Sequence, residues 1–231
     1  MIARNAFIVL CSLTLLSSAA PQGKRPLRLD DMFRMRRVSD PALSPDGTWI
    51  AFTVTIPDTE ANKNRSDIWL VSSDDGTPRP LTTNPANDKM PAWSPDGKTI
   101  AFESDRTGNS QIWFIAPDGT NERQFTTLST GAKQAVWSPD GSSLAYVSEV
   151  FPENSDKPFA ESDALNKARL DDLAHGKVKA KVFTRLLYRH WDEWVDGKRR
   201  HIFLQPLDGG EPRNLTPGNR DAVPTSTTFS N

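Results

Sequence analysis

One short turn constrains this chain more than any other feature, because it occurs three times. Ser44-Pro45-Asp46-Gly47, Ser94-Pro95-Asp96-Gly97 and Ser138-Pro139-Asp140-Gly141 share one sequence. Each is followed, three residues after its glycine, by Ile50-Ala51-Phe52, Ile100-Ala101-Phe102 or Leu144-Ala145-Tyr146. Proline presets φ at the second turn position, aspartate bonds back to nearby backbone, and glycine accepts positive φ. Flanked by β-forming residues, the segment reads as a β-hairpin. A single Pro-Asp-Gly turn decorates many β proteins; three copies in register with the same apolar triplet define a repeat.

Two more landmarks recur in the same order. The first is an apolar strand: Asp67-Ile68-Trp69-Leu70-Val71, then Gln111-Ile112-Trp113-Phe114-Ile115, then His201-Ile202-Phe203-Leu204. The second runs from a glycine to a closing Leu-Thr or Phe-Thr pair: Gly76 to Leu81-Thr82, Gly119 to Phe125-Thr126, Gly210 to Leu215-Thr216. Each unit is then four short antiparallel strands in roughly 40–45 residues, the size of a propeller blade. The fold class expected is all-β: an incomplete β-propeller of about three to four four-stranded blades. Five tryptophans, Trp49, Trp69, Trp93, Trp113 and Trp137, are placed by the repeat and are expected in the core.

The first blade is expected over 39–83 and the second over 88–127, with the third starting near Gly131 and closing at Thr216. Between the second and third strands of that third blade the pattern breaks, leaving an insertion over about 149–200. Its first part, 151–181, is polar, with helical character around 163–174. Its second part, 182–197, is apolar and aromatic. Long insertions in otherwise minimal blades are loops with a task, or lids. Residues 221–230 resemble the lead into another turn.

Ahead of the repeats the chain changes character. Arg4, an apolar run over 6–16 and the small residues Ser17-Ser18-Ala19-Ala20 read as a secretory signal peptide over 1–20. An uncleaved N-terminal anchor is the other reading. The apolar run continues past Cys11, the single cysteine, which argues against a lipoprotein site there. The mature chain would carry no disulfide, no thiol nucleophile and no membrane span. Residues 21–38 are expected as a linker and short helix, with acids ahead of bases along 29–38 as the helix dipole favours. That helix would cover one edge of the sheet array. The partial propeller then occupies 39–231. Such an array cannot close a ring, so the sequence is expected to be the N-terminal piece of a longer protein; closure by oligomerisation is the competing possibility.

The net charge of −1 excludes nucleic acid as a main partner, since no basic excess exists to neutralise phosphates. No Gly-x-Ser-x-Gly elbow is present, so no α/β-hydrolase nucleophile is expected. His175, His190 and His201 lack metal-ligand spacing, and no cofactor or metal is implied. The dense polar–aromatic cluster is Tyr188-Arg189-His190-Trp191-Asp192-Glu193-Trp194. Two acids beside two indoles could hold a substrate ammonium through charge and cation–π attraction. Alternatively, the rings pack the insertion onto the propeller and the charges face water.

These blades, with Leu186-Leu187-Tyr188-Arg189-His190-Trp191-Asp192-Glu193-Trp194 and Asp196-Gly197-Lys198, resemble the N-terminal propeller of secreted prolyl oligopeptidase-family serine peptidases, of the bacterial dipeptidyl or acylaminoacyl peptidase type. Residues 209–218 are similar to the segment that follows there. The turn repeats are also shared by TolB-like periplasmic propellers. The resemblance implies a secreted or periplasmic protein that admits short peptides, paired with a C-terminal α/β-hydrolase domain bearing a Ser-Asp-His triad. No such domain lies within these residues, so no catalytic residue is assigned. The implied substrate-binding candidates are Asp192 and Glu193, for the peptide N-terminus, with Arg189, Trp191 and Trp194 beside them. A non-enzymatic TolB-like protein-binding propeller is the alternative.

Overall fold

The three Ser-Pro-Asp-Gly segments close in the same way. Ser44 Oγ donates to Asp46 Oδ1 at 2.6 Å and accepts from the Trp49 amide at 2.9 Å. Ser94 and Ser138 repeat both bonds, to Asp96 and Asp140 and from Thr99 and Ser143. The glycines hold φ of 75°, 70° and 70°, the left-handed region glycine enters without steric cost. Successive turns also stack: a Cβ on Gly97 or Gly141 would lie 3.7 Å from Pro45 or Pro95 of the preceding turn.

A computed structural model describes residues 25–74, 76–177, 180, 189–190, 193–194 and 196–222. A short helix, α1 (Leu29–Arg34), leads into the first sheet of β1 (Arg37–Leu43), β2 (Trp49–Asp58), β3 (Lys63–Ser72) and β4 (Arg79–Pro80). The second sheet is β5 (Asp88–Trp93), β6 (Ile100–Ser104), β7 (Gln111–Ile115) and β8 (Arg123–Gln124). The third begins with β9 (Lys133–Trp137) and β10 (Ser143–Val150). It is interrupted by a 3-10 turn at Pro152–Asn154, helix α2 (Phe159–His175) and a two-stranded pair, β11 (Arg189–His190) with β12 (Glu193–Trp194). It resumes with β13 (Arg199–Pro206) and β14 (Arg213–Asn214). Each four-stranded sheet is antiparallel with strands in chain order, and β10 pairs directly with β13 from Val150–Arg199 to Ser143–Pro206. The insertion therefore leaves the blade at one strand end and returns to the same place. The predicted signal peptide and the lead into a further turn fall largely or wholly outside the described residues.

A second repeated device was not visible as a motif. Asp40, Met90 and Gln134 each stand four residues before the turn serine, and each holds φ between 53° and 57°. The first two lie at register shifts between the first and second strands, and a shift also interrupts the β9–β10 pairing. Such bulges bend the strand and free its amides from the ladder. Met90 N donates to Thr53 Oγ1 at 3.3 Å and Gln134 N to Glu103 Oε1 at 2.7 Å, each reaching back to the preceding blade.

The core lies between blades. Ala51, Ile68, Leu70 and Leu81 of the first meet Ile100, Phe102 and Ile115 of the second. Ala101, Ile112 and Phe114 of the second meet Leu144, Tyr146 and Phe203 of the third. Trp93 and Trp137 seam these joints: each indole N–H donates 3.0 Å to a carbonyl of the preceding blade, on Ala42 and Ala92 respectively.

Two expectations need correction. Trp49 is 37% exposed rather than core. It stands five residues after Ser44, where Thr99 and Ser143 stand in the other blades, and it packs under Arg79 instead. Trp69, Trp93, Trp113 and Trp137 are half-buried, and Trp93, Trp113 and Trp137 pack against the buried clusters as expected. The lead-in helix is also shorter than 29–38, because β1 starts at Arg37. Its Leu29, Met32 and Phe33 are exposed, so it buries no apolar stripe over a sheet edge.

Candidate functional site

The predicted site falls in the insertion, and the insertion is built outward from the strand end. Val150 and Phe151 are buried against the third blade, and the Phe151 amide donates 3.2 Å to Asn166 Oδ1 in α2. Phe159 meets Phe203 edge-on at 6.4 Å. Asp163 accepts from the amide and hydroxyl of Ser129 at 2.9 and 2.8 Å, which fixes the first half of α2 against the loop ahead of β9. The second half is solvent-facing: Leu173 is exposed, and Lys167–Asp171 is an exposed i,i+4 pair. The helix runs 159–175, longer at its start than the composition suggested.

Beyond α2, Arg189 pairs with Trp194 and His190 with Glu193 across the β11–β12 pair. The backbone thus brings three of the five candidates, Arg189, Glu193 and Trp194, into one antiparallel pair. Trp191 and Asp192 lie outside the described residues. The chain then re-enters β13, and Lys198 just ahead of it and Arg200 within it both pair with Glu149 of β10.

Each blade carries a buried polar residue on its third strand, directly before an isoleucine. These are Asp67, Gln111 and His201. Beside each stands a threonine, Thr82, Thr126 or Thr216, whose hydroxyl accepts the amide of Ile68, Ile112 or Ile202 at 2.8–3.0 Å. Gln111 Nε2 donates to the Leu128 carbonyl at 2.7 Å, and His201 Nε2 lies 2.9 Å from that of Gly218, two residues past the threonine in both cases. His201 is fully buried.

Sequence reasoning missed one charged cluster nearby. Arg106 pairs with buried Asp88 at 2.8 Å and with Glu122 at 2.7 Å, and its guanidinium lies 4.4 Å from the centre of the Trp113 ring. Burial pushes the Asp88 carboxyl above the usual carboxylate range, against the pull of Ser104 and Arg106. Burial likewise raises Asp67, with Arg65 opposing and Asp88 adding to the rise. The Oδ1 atoms of Asp67 and Asp88 and the indole N–H groups of Trp69 and Trp113 have no protein partner. Arg106 also lines an open cleft of about 680 Å³ with Lys63, Asn87 and Asp105. No sequence signal marked Arg106, because its partners are 18 and 16 residues away. Among the described residues no group of three His, Cys, Asp or Glu could hold a metal ion, and no helix is long and apolar enough to cross a membrane.

Comparison with known proteins agrees with this architecture. The sequence pattern of the TolB beta propeller domain matches residues 34–174. Dipeptidyl-peptidase 5 of Porphyromonas gingivalis is 36% identical over 178 residues, covering 76% of this chain and 24% of that protein. The Tol-Pal system protein TolB of Anaeromyxobacter dehalogenans is 40% identical over 60 residues, covering 26% of this chain and 12% of that protein. Among solved structures, the acylaminoacyl peptidase of Pyrococcus horikoshii aligns with a TM-score of 0.54 at 20% identity, over 79% of this chain and 25% of that one. The chain spans about a quarter of the length of the dipeptidyl-peptidase it matches over most of its own. Repeated bends, chain-ordered sheets and the matched pattern lead to one assignment: the chain belongs to the TolB-like β-propeller family.

Proposed function

We propose that these residues are the propeller portion of an exported serine peptidase that cleaves short peptides. The propeller filters substrates, and the insertion supplies an anchor for the peptide N-terminus. Bond cleavage belongs to an α/β-hydrolase domain that these residues do not include. The observation that carries the reading is the 36% identity to a dipeptidyl-peptidase across 178 residues, which extends well beyond any single turn repeat. The insertion accords with it: the backbone pairing of β11 with β12 joins Arg189, Glu193 and Trp194 in one short element. Carboxylates close to an ammonium form charge-assisted hydrogen bonds, roughly twice as strong as neutral ones. An acidic anchor there suits an enzyme that counts residues from a free amine.

The test is to express the full-length protein and assay dipeptide-linked chromogenic substrates with free and blocked N-termini, alongside labelling by a serine-directed phosphonate. Hydrolysis with labelling is expected. A protein that neither hydrolyses nor labels would favour the second reading, a TolB-like binding propeller, which the 40% identity to a TolB protein over 60 residues supports.

A further inference from the structure

One of the ties between the insertion and its blade runs through a titratable ring. We propose that His201 is an acid-sensitive latch: its neutral imidazole joins Asn214, Ser155 and Gly218, and protonation at Nδ1 loosens the leading end of the insertion.

The hydrogen bonds fix the protonation state. His201 Nε2 lies 2.9 Å from the Gly218 carbonyl, which only accepts, so Nε2 carries the hydrogen. Nδ1 lies 3.0 Å from Asn214 Nδ2, which only donates, so Nδ1 is bare. The Asn214 amide is held in this orientation from both ends. Its Nδ2 also donates to the Ser155 carbonyl at 3.2 Å, and its Oδ1 accepts from the Thr216 amide at 3.1 Å. Ser155 Oγ accepts from the Gly218 amide at 2.9 Å and donates to the Pro152 carbonyl at 2.7 Å, at the insertion's first turn. A second ring proton at Nδ1 would meet the Asn214 donor. Turning that amide over to accept it forfeits the bonds to Thr216 and Ser155 together.

The repeat supplies a control within the molecule. Gln111 holds the equivalent place in the second blade and makes the equivalent bond, to Leu128, without a titratable group. The joint itself therefore does not require a histidine; the imidazole adds a response to pH. Charged residues on the surrounding elements are Arg199 and Arg200 on β13, Glu149 on β10, Arg213 on β14, Glu153 and Asp156 at the first turn, and Arg220 and Asp221 in the last loop. Asp221 favours the protonated ring and Arg199 opposes it. Burial dominates and holds the ring below its usual range, with the Gly218 bond pulling the other way. A histidine lowered in the folded state gives stability that is full above the unfolded value, about 6.5, and is lost as pH falls.

The experiment is amide hydrogen exchange in the full-length protein at pH 7.5 and 5.5, corrected for intrinsic rates, in wild type and His201→Gln. Protection across 152–175 should fall about tenfold in acid in the wild type, the weight of one buried hydrogen bond, and stay level in the variant. Unchanged protection in the wild type, or an equal fall in the variant, overturns the latch. If His201→Gln does not fold, the ring titration followed by NMR replaces it. A shared midpoint for ring and insertion supports the proposal, and separate midpoints overturn it.

Discussion

Asp163 on α2 takes both the amide and the hydroxyl of Ser129, at 2.9 and 2.8 Å, and so pins a helix to a loop 34 residues earlier in the chain. These are two charge-assisted bonds to one half-buried carboxylate. Asp163→Ala should lower stability by about 1–3 kcal/mol. It should also raise the rate of limited proteolysis within 159–175, with little change elsewhere in the sheets. An unchanged cleavage pattern would mean that the helix is held by Phe159 and Asn166 alone.

Trp93 and Trp137 make the same indole-to-carbonyl bond across successive blade joints. Trp137→Phe keeps a ring that can stack on Phe114, now 5.1 Å away, and deletes only the N–H. The expected cost is about 1 kcal/mol from the lost bond, read as a shift in urea midpoint at constant slope. Trp93→Phe should cost a similar amount. A cost near that of full ring deletion, about 3–5 kcal/mol, would show that the phenyl ring does not occupy the site.

Arg106 neutralises Asp88, whose side chain is wholly buried. Arg106→Ala strands that carboxylate and should cost about 3–5 kcal/mol. Arg106→Ala combined with Asp88→Asn should recover part of the loss. The pH sign follows from burial, which already raises Asp88 in the folded protein. A carboxyl raised on folding binds its proton more tightly in the native state, so its penalty shrinks as pH falls. The deficit of Arg106→Ala should therefore narrow between pH 7 and pH 4. Thermal melts in which the deficit widens over that interval would refute the assignment.

Gly97 holds φ of 70°, and an added methyl would meet only Pro45, at an ordinary 3.7 Å. Gly97→Ala should then cost about 1–2 kcal/mol from backbone strain alone. Gly141→Ala, in the same geometry against Pro95, should match it. Unequal costs would point to contacts beyond the turn.

For the peptide anchor, Asp192→Ala with Glu193→Ala in the full-length enzyme should raise KM about tenfold for substrates with a free amine. That is the size of one lost charge-assisted bond. N-blocked substrates should be affected far less. Equal effects on both substrates would remove the anchor from the proposal.

The division between sequence and tertiary structure follows contact range. The turn serine, aspartate and glycine satisfy one another within five residues, as Ser94, Asp96 and Thr99 do, so three copies spelled out three hairpins, the blade period and the interruption before β13. The cluster over 188–194 was visible as composition, but the pairing of Arg189 with Trp194 was not read from it. Where a residue's partner belongs to another blade, the pattern was silent. Nothing local tells Trp137 to bond Ala92, 45 residues back, or leaves Trp49 facing solvent while Trp93 is drawn into a joint. The pairing of Arg106 with Asp88 and the network around His201 likewise appear only once strands distant in sequence are packed together. Burial is then set by the neighbouring sheet, and burial decides which polar groups must find partners.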